Sequence, residues 1–350
     1  MDFHLTNEQQ MLRKMYREFA ETEVKPLAEE LDEQERFPME TVEKMAKLGM
    51  LGIYFPKEYG GAGGDVLSYA MCVEELAKVC GTTAVIVSAH TSLCCAPIFE
   101  HGTEEQKRKY LPDLLSGRKL GAFGLTEPNA GTDASGQQTT AVLEGDHYVL
   151  NGSKCFITNG NVADTFVVFA MTDKSKGNHG ISAFIVEKDF PGFSQGKHEK
   201  GFKIAMQTLD GGRIGIAAQA LGLGEGAVEE AIKYTKERVQ FGKRLSQFQN
   251  TQFQLADMHT RMQAAQYLVY AAAMKKQNHE DYSMDASMAK LFAAEAASDV
   301  TRRAVQLFGG YGYTREYPVE RMMRDAKITE IYEGTSEVQR MVISSRLGVK

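Results

Sequence analysis

The sequence has little of three features that mark particular protein classes: tryptophan, excess basic charge and long apolar runs. Its 350 residues include no tryptophan, and 40 lysines and arginines stand against 46 aspartates and glutamates, for a net charge of −6. Such a chain is poorly suited to general nucleic-acid binding, because neutralising phosphates requires a basic face. Acidic ligands must therefore be held by local groups.

Membrane and export signals are also missing. The longest apolar runs, such as Thr165–Met171, fall far short of the ~20 residues that cross a bilayer, which predicts no membrane span. The segment Met1–Leu5 has neither the basic region nor the apolar core that a signal peptide requires. We therefore expect a cytoplasmic protein.

Cysteine is scarce and irregularly spaced. The five cysteines are an odd number without metal-ligand spacing, so we expect reduced thiols and no metal site. The chain also lacks the G-x-x-x-x-G-K-[ST] phosphate loop and the H-E-x-x-H zinc motif. P-loop and zincin chemistry are therefore without their usual sequence signatures.

Three segments of different character follow one another along the chain. Residues 1–119 show helical periodicity, residues 120–200 contain short β-rich runs between turns, and residues 201–350 form long Ala-rich helical stretches. This order predicts an α+β fold with a helical N-terminal domain, a central β domain and a C-terminal helical bundle. A capping box of Thr6 with Gln9 marks the first helix.

Turn residues and periodicity delimit further elements. The predicted helices are Met39–Leu48, Val66–Val79 and Thr103–Leu115. The predicted strands are Phe123–Thr126, His147–Leu150, Cys155–Thr158, Thr165–Met171 and Ile181–Val186.

Two motif matches are disfavoured by their surroundings. Gly222–Ala227 fits the G-x-G-x-x-A dinucleotide fingerprint, but an Ala-rich helical segment precedes it, which favours close helix packing over a phosphate loop. Gly192–Gly196 fits the G-x-S-x-G hydrolase elbow, but it follows Pro191 and runs into charged residues instead of an apolar helix. Nicotinamide-dependent and hydrolase functions are therefore disfavoured.

Two stretches have the composition of a binding site. Gly121–Asp133 leads from a strand into a loop of small residues, where free amides and the hydroxyls of Thr126 and Thr132 could contact a flat polar ring or an acyl carrier. Cys155–Gly160 presents an aromatic and a hydroxyl two positions apart on one face of a predicted strand. Taken alone, a plain β-turn explains the first equally well, and a core Phe156 explains the second better.

A third stretch, Ala326–Arg340, contains a candidate base. Ser336 and Gln339 form a capping box, so a helix should begin near Ser336, with Glu333 just ahead of its positive end and next to Gly334. A carboxylate held there could abstract a proton. A solvated acid before a helix is the simpler alternative.

In this order and spacing, the three stretches resemble the acyl-CoA dehydrogenase family, most closely its bacterial short-chain (butyryl-CoA) dehydrogenases. The similarity runs along the whole chain with one interruption, and two more motifs are in register. The motifs that carry it are Gly124–Asp133, Leu209–Arg213, Glu237–Gly242, Gln306–Gly310 and Ile331–Thr335.

The resemblance implies a homotetramer that holds FAD and acyl-CoA where its domains meet. By motif, the residues expected to line the flavin are Phe123, Leu125, Thr126, Thr132, Phe156, Ile157 and Thr158, with Thr335, Ser336 and Glu337 completing the site. Those expected to hold adenosine and pyrophosphate, across a subunit contact, are Arg238, Gln240, Phe241, Gln249, Gln306, Leu307, Phe308, Gly309 and Gly310. Those expected at the CoA thioester are Thr132, Asp210, Gly211, Gly212, Arg213 and Gly334.

In that family a carboxylate removes the α-proton of the thioester while the β-hydrogen leaves as hydride to flavin N5. Glu333 would be this base, and burial by the acyl chain should raise its pKa. Gly212 stands where some relatives carry the base. The implied reaction is butyryl-CoA to crotonyl-CoA, in either direction, with electrons exchanged with an electron-transferring flavoprotein.

The chain departs from the family pattern at two points. Phe156 replaces a common tryptophan. After Glu199 the chain passes directly to Lys200, where relatives carry further β structure, roughly thirty residues at about 5–6 per strand plus turns. Such a loss would leave unpaired strand edges and open the wall beside the flavin. The alternative hypothesis is therefore a non-catalytic, FAD-poor protein that acts only as an assembly subunit.

Overall fold

The computed structural model describes residues 4–194 and 203–349, with side chains described outside residues 203–209. The interruption predicted after Glu199, and Gln195 and Gly196 of the G-x-S-x-G match, lie outside the described residues.

The chain divides into two compact units. The first unit comprises Met1–Thr41, Asp65–Val85 and Arg213–Lys350, and the second comprises Val42–Gly64 and Ile86–Gly212. The boundaries predicted at residues 119 and 200 stay a prediction.

Helices make up most of the described structure, and the described strands form a five-stranded and a two-stranded sheet, in agreement with the predicted α+β class. The α-helices are α1 (Asn7–Phe19), α2 (Ala28–Gln34), α3 (Met39–Lys47), α4 (Val66–Ala77), α5 (Gly81–Ser88), α6 (Ala96–His101), α7 (Glu104–Leu115), α8 (Lys203–Glu237), α9 (Gln249–Gln277), α10 (Ser283–Phe308), α11 (Val319–Thr329) and α12 (Ser336–Arg346). The strands are β1 (Gly121–Gly124), β2 (Thr140–Glu144), β3 (His147–Asn151), β4 (Thr165–Met171), β5 (Ile181–Glu187), β6 (Val239–Gln240) and β7 (Lys243–Arg244).

Local capping rules explain where several helices begin and end. The Thr6 hydroxyl accepts from the Gln9 N–H at 3.2 Å and the Gln9 side chain accepts from the Thr6 N–H at 3.0 Å, which confirms the predicted capping box. Helix α10 ends at Phe308, where the following Gly309 adopts φ +65°, a backbone conformation that favours glycine.

One helical segment was missed. Helices α5 and α6, joined by a π-helical stretch, run without a break from Gly81 to His101. The segment is apolar on all sides, so it lacks the one-sided periodicity by which surface helices are found. By length and composition it could cross a membrane, but most of it is buried within the protein, and the core helix of a globular protein meets the same criterion.

The five-stranded sheet, which belongs to the second unit, is centred on β4. Strand β1 pairs with β4 in parallel, in the register Gly121↔Thr165, while β5 pairs with it antiparallel, in the register Thr165↔Glu187. The β2–β3 hairpin joins β4 through the pair Thr140↔Met171. Strand β2 was not predicted.

The predicted strand Cys155–Thr158 is wrong. This segment is irregular, with Phe156 at φ +55° and Asn159 at φ +66°. Left-handed residues cannot continue a pleated strand, so the alternation of side chains expected there does not apply.

The G-x-G-x-x-A match lies inside α8, so the phosphate-loop interpretation is wrong and close helix packing is confirmed. A Cβ on Gly222 would lie 2.1 Å from the carbonyl oxygen of Glu74, and one on Gly226 would lie 2.2 Å from that of Lys78. Both carbonyls belong to or directly follow α4. Only glycine lets the α8 and α4 backbones approach this closely.

We expect Gly222→Ala to lower the free energy of unfolding by about 1–3 kcal/mol, because the added methyl forces α8 away from α4. Urea and thermal unfolding of the purified protein would measure the loss. Gly131→Ala is the matched control, since nothing lies within 4 Å of a Cβ there. Equal stability of the two variants would contradict the packing argument.

Candidate functional site

The two stretches expected at the flavin lie side by side in the second unit. The Cys155 N–H donates to the Thr126 carbonyl at 3.0 Å. The Lys154 ammonium donates to the Leu125 carbonyl at 3.2 Å and lies 3.7 Å from the Glu127 carboxylate. The loop after β1 and the irregular segment around Phe156 therefore form one surface.

Glu127 and Lys154 were missed as organising residues. The buried Glu127 carboxylate accepts from the Gln138 N–H at 3.1 Å and from the Thr139 N–H at 3.4 Å. It thus joins the β1 loop to the segment that enters β2. The sequence does indicate such a role, because Glu127 is an acid within a loop of small, neutral residues. A buried acid needs a hydrogen-bond or charge partner.

Two buried polar side chains fix the start of β1. The Gly121 N–H donates to His90 Nδ1 at 3.0 Å, and the Asn159 amide donates to the Gly121 carbonyl at 3.2 Å. Burial lowers the pKa of His90 to about 4, so the ring is neutral at pH 7. With Nδ1 accepting, Nε2 carries the proton and donates to the Leu114 carbonyl at 3.1 Å.

The side chains of this surface differ in exposure. Phe123 and Leu125 are buried, and the Phe123 ring meets the Phe169 ring edge-on at 5.1 Å, so these two residues offer a ligand only their backbone. Thr132 is exposed. Phe156 is 92% exposed, which makes the core interpretation of Phe156 wrong.

A cavity of about 1110 Å³ adjoins this surface. Phe156 and Ile157 line it together with residues of β3, β4 and β5 and with Phe190–Ser194. Thr126 and Thr158 do not line it. The last of its lining residues lead directly into the segment where the interruption was predicted.

A second cavity, of about 490 Å³, lies in the first unit. It brings together Arg238, Gln240 and the whole run Gln306–Gly310, which are distant in sequence and were all expected to hold a dinucleotide. Phe241 and Gln249 do not line it, and Phe241 is 93% exposed.

The chemistry of this second cavity suits a nucleotide diphosphate. Arg238 supplies a cation, and its guanidinium lies 5.4 Å from the centre of the Tyr311 ring. In the part of the chain that the structure describes, no atom beyond the chain neighbours lies within 4 Å of a Cβ built on Gly309 or Gly310, so the backbone there is open to close approach. Tyr311 and Tyr234 also line the cavity. Neither was predicted, because each lies just outside a motif.

The candidate base lies in the turn between α11 and α12, also in the first unit. Glu333 adopts φ +52° and Gly334 adopts φ +93°, two successive left-handed residues. The Gly334 carbonyl accepts from Lys290 Nζ at 2.7 Å and from Gln339 Nε2 at 2.9 Å. The turn is therefore held from α10 and from α12.

Two further contacts anchor the same turn. The Tyr332 hydroxyl donates to the Gln219 side-chain oxygen on α8, and Gln219 in turn donates to the Gly81 carbonyl at 2.9 Å. The Ser336 N–H donates to the Glu330 carbonyl at 3.0 Å. The predicted capping box is wrong in one respect, since the N-cap of α12 is Thr335, whose hydroxyl accepts from the Val338 N–H at 3.4 Å.

The Glu333 carboxyl group is buried. Its Oε2 atom has no hydrogen-bond partner among the residues that the structure describes. Burial raises the pKa of Glu333 to about 8, and the nearby cations Lys290 and Arg213 oppose that rise. The simpler alternative of a solvated acid is therefore wrong, and the group has the properties of a general base.

The remaining predicted residues take the following places. Asp210, Gly211, Gly212 and Arg213 lie in α8, and Arg213 is buried. Ser336 is buried and Glu337 is exposed in the first turn of α12. Of this group, Arg213 is near enough to Glu333 to affect its ionisation.

Three family models match the chain in sequence. They are the N-terminal domain of acyl-CoA dehydrogenase over residues 6–118, its middle domain over residues 122–214 and its C-terminal domain over residues 199–348.

Curated and structural relatives match almost the full length. The short-chain specific acyl-CoA dehydrogenase of Clostridium acetobutylicum is 64% identical over 99% of this chain and 100% of its own. The butyryl-CoA dehydrogenase structure from Megasphaera elsdenii has a TM-score of 0.95 at 52% identity, covering 99% of this chain and 100% of its own. A structure titled as the electron transferring flavoprotein of Acidaminococcus fermentans has a TM-score of 0.96 at 56% identity, covering 99% of both chains.

The alignment lengths also bear on the predicted interruption. The match to the Clostridium protein spans 377 positions. Since this chain has 350 residues, at least 27 of those positions have no residue here (377 − 350). The shortfall agrees with the roughly thirty missing residues expected at about 5–6 per strand.

Proposed function

Because the chain belongs to the acyl-CoA dehydrogenase family, we propose that it oxidises short-chain acyl-CoA thioesters to trans-2-enoyl-CoA, with butyryl-CoA as the typical substrate. FAD is the cofactor, and an electron-transferring flavoprotein exchanges the electrons. The observation that carries the proposal is the buried, unpaired carboxylate oxygen of Glu333.

Glu333 acts as the base of this reaction. A thioester α-proton is weakly acidic, so its removal needs a carboxylate whose basicity has been raised and which water does not solvate. Burial supplies both properties to Glu333. In the forward direction the α-proton passes to the Glu333 carboxylate, and the C–H electrons form the new double bond. FAD, when bound, supplies the acceptor for the β-hydrogen, which leaves as hydride.

The residues present fit FAD. The 490 Å³ cavity supplies Arg238 and open glycine backbone for an anionic diphosphate, while Gln240 and Gln306 supply amides for polar groups. The joined loops around Thr126 and Phe156 supply an exposed aromatic ring and backbone groups for the flavin. The flavin contacts expected for Thr335, Ser336 and Glu337, and the thioester contacts expected for Asp210–Arg213, Thr132 and Gly334, stay predictions.

We place the enzyme in the cytoplasm as a homotetramer. The five cysteines are buried free thiols, as a reducing compartment allows. Phe241, which is 93% exposed, would contact the dinucleotide of a neighbouring subunit, since it does not line the cavity of its own chain.

One observation favours the alternative of an FAD-poor assembly subunit. The 1110 Å³ cavity beside Phe156 is lined up to Ser194, just before the predicted interruption, and the match to the Clostridium relative has at least 27 positions with no residue in this chain. A flavin absorbance band that butyryl-CoA bleaches would reject this alternative. A colourless but correctly folded oligomer would support it.

The base is tested by Glu333→Gln. We expect the variant to bind FAD and butyryl-CoA but to bleach the flavin about 10²–10⁴-fold more slowly, because the amide cannot accept the α-proton. Stopped-flow absorbance of the flavin would measure the rate. Glu295→Gln is the control, since Glu295 is an exposed residue paired with Arg340 at 2.7 Å. Undiminished bleaching by Glu333→Gln would remove this residue from the mechanism.

The dinucleotide cavity is tested by Arg238→Met. Loss of a charge-assisted hydrogen bond of ~1.5–3 kcal/mol should raise the Kd for FAD about 10- to 100-fold. Quenching of flavin fluorescence during titration of the apoprotein would measure the Kd. Arg302→Met is the matched control, because Arg302 is an exposed arginine of α10 paired with Asp299 at 2.8 Å. Equal affinities in the two variants would place the diphosphate elsewhere.

A further inference from the structure

Lys290 is a fully buried lysine in the middle of α10. Burying an ammonium group is unfavourable unless hydrogen bonds and opposite charge compensate for the lost water. Its Nζ donates to the Gly334 carbonyl at 2.7 Å. The family motifs do not include Lys290, so they assign it no role.

The carbonyl that Lys290 holds adjoins the candidate base. Glu333 and Gly334 are consecutive, and their left-handed backbone persists only where the surroundings hold it. Two donors hold the Gly334 carbonyl: Lys290 Nζ from α10, and Gln339 Nε2 from α12 at 2.9 Å. Both donors are fully buried, but only Lys290 carries a charge.

The charged groups that act on this pair lie on α8, at the end of α11 and on α12. Arg213 of α8 is a second cation near Glu333. Glu330 at the end of α11 and Glu337 of α12 are acids whose charges act on Lys290, together with that of Glu333 itself. Burial lowers the pKa of Lys290 to about 8, and these acids oppose the change. Tyr332, beside Glu333, stays protonated because burial raises its pKa.

We propose that Lys290 is a positioning residue for proton abstraction, whose ammonium fixes the Gly334 carbonyl and, as a neighbouring cation, stabilises the ionised form of the Glu333 carboxylate. This inference rests on the proposed role of Glu333 as the base. Lys290 is not itself the base. It acts through the backbone of the turn and through charge.

The test compares three variants of the FAD-loaded protein. Lys290→Gln keeps a donor but loses the charge, Lys290→Arg keeps the charge, and Gln339→Met loses the neutral hydrogen bond alone. The readout is the single-turnover rate of flavin bleaching by butyryl-CoA between pH 6 and pH 10. A slower rate with α-deuterated butyryl-CoA would verify that the rate reports α C–H cleavage.

The base must be deprotonated, so the wild-type rate should rise with pH through an acid-side inflection near the Glu333 pKa of about 8. Removing a nearby cation raises the pKa of a carboxylate, so Lys290→Gln should move the inflection up by about one pH unit or more. Gln339→Met should leave its position unchanged. Lys290→Arg should not move it up, since an arginine stays charged at pH values where a lysine with a pKa of about 8 loses its proton. Both variants are expected to lower the plateau rate.

Three outcomes would overturn the inference. The first is a pH inflection that Lys290→Gln leaves in place. The second is an inflection that Gln339→Met moves up as far as Lys290→Gln does. The third is an inflection that Lys290→Arg moves up although the positive charge remains. The third outcome can be measured even if Lys290→Gln fails to fold. Failure of the proposed function is separate, because it would appear as undiminished bleaching by Glu333→Gln.

Discussion

The constraint on which the site depends is the burial of one carboxyl group that lacks a hydrogen-bond partner among the described residues. Burial favours the neutral form of Glu333, while Lys290 and Arg213 favour the ionised form. A base for a weak carbon acid needs this balance, since a solvated carboxylate is too weakly basic and an isolated buried one stays protonated. The turn must therefore lie where α8 and α10 can both present a cation to it.

Helix α8 contributes both to helix packing and to the contacts of the turn that carries Glu333. Gly222 and Gly226 bring it against the backbone of α4, Gln219 accepts from the Tyr332 hydroxyl, and Arg213 lies near Glu333. The small residues that resemble a nucleotide fingerprint are thus a packing surface. Because that surface sets the position of α8, it also sets the positions of the polar groups that the helix carries toward the turn.

The second unit keeps a defined surface through contacts among its own loops and strands. The loops around Thr126 and Phe156 are tied to each other through the Cys155 N–H, Lys154 and Glu127. Their anchors are β1 and buried groups such as His90, all before residue 160 in sequence. All of these contacts come from residues before Ser194, where the lining of the 1110 Å³ cavity ends. The geometry of the two loops therefore does not depend on the segment where the interruption was predicted.

The sequence by itself determined what short-range rules govern: the Thr6 capping box, the stop at Gly309, most strands, and the motifs that mark the family and the candidate base. It did not determine the irregular segment at Phe156, because the left-handed backbone there is held by contacts with a loop thirty residues earlier. Nor did it reveal the apolar helix from Gly81 to His101, which shows no one-sided periodicity. Lys290 looks in the sequence like any helical lysine. Only the tertiary structure buries it against Gly334, because burial and charge pairing depend on elements that are distant along the chain.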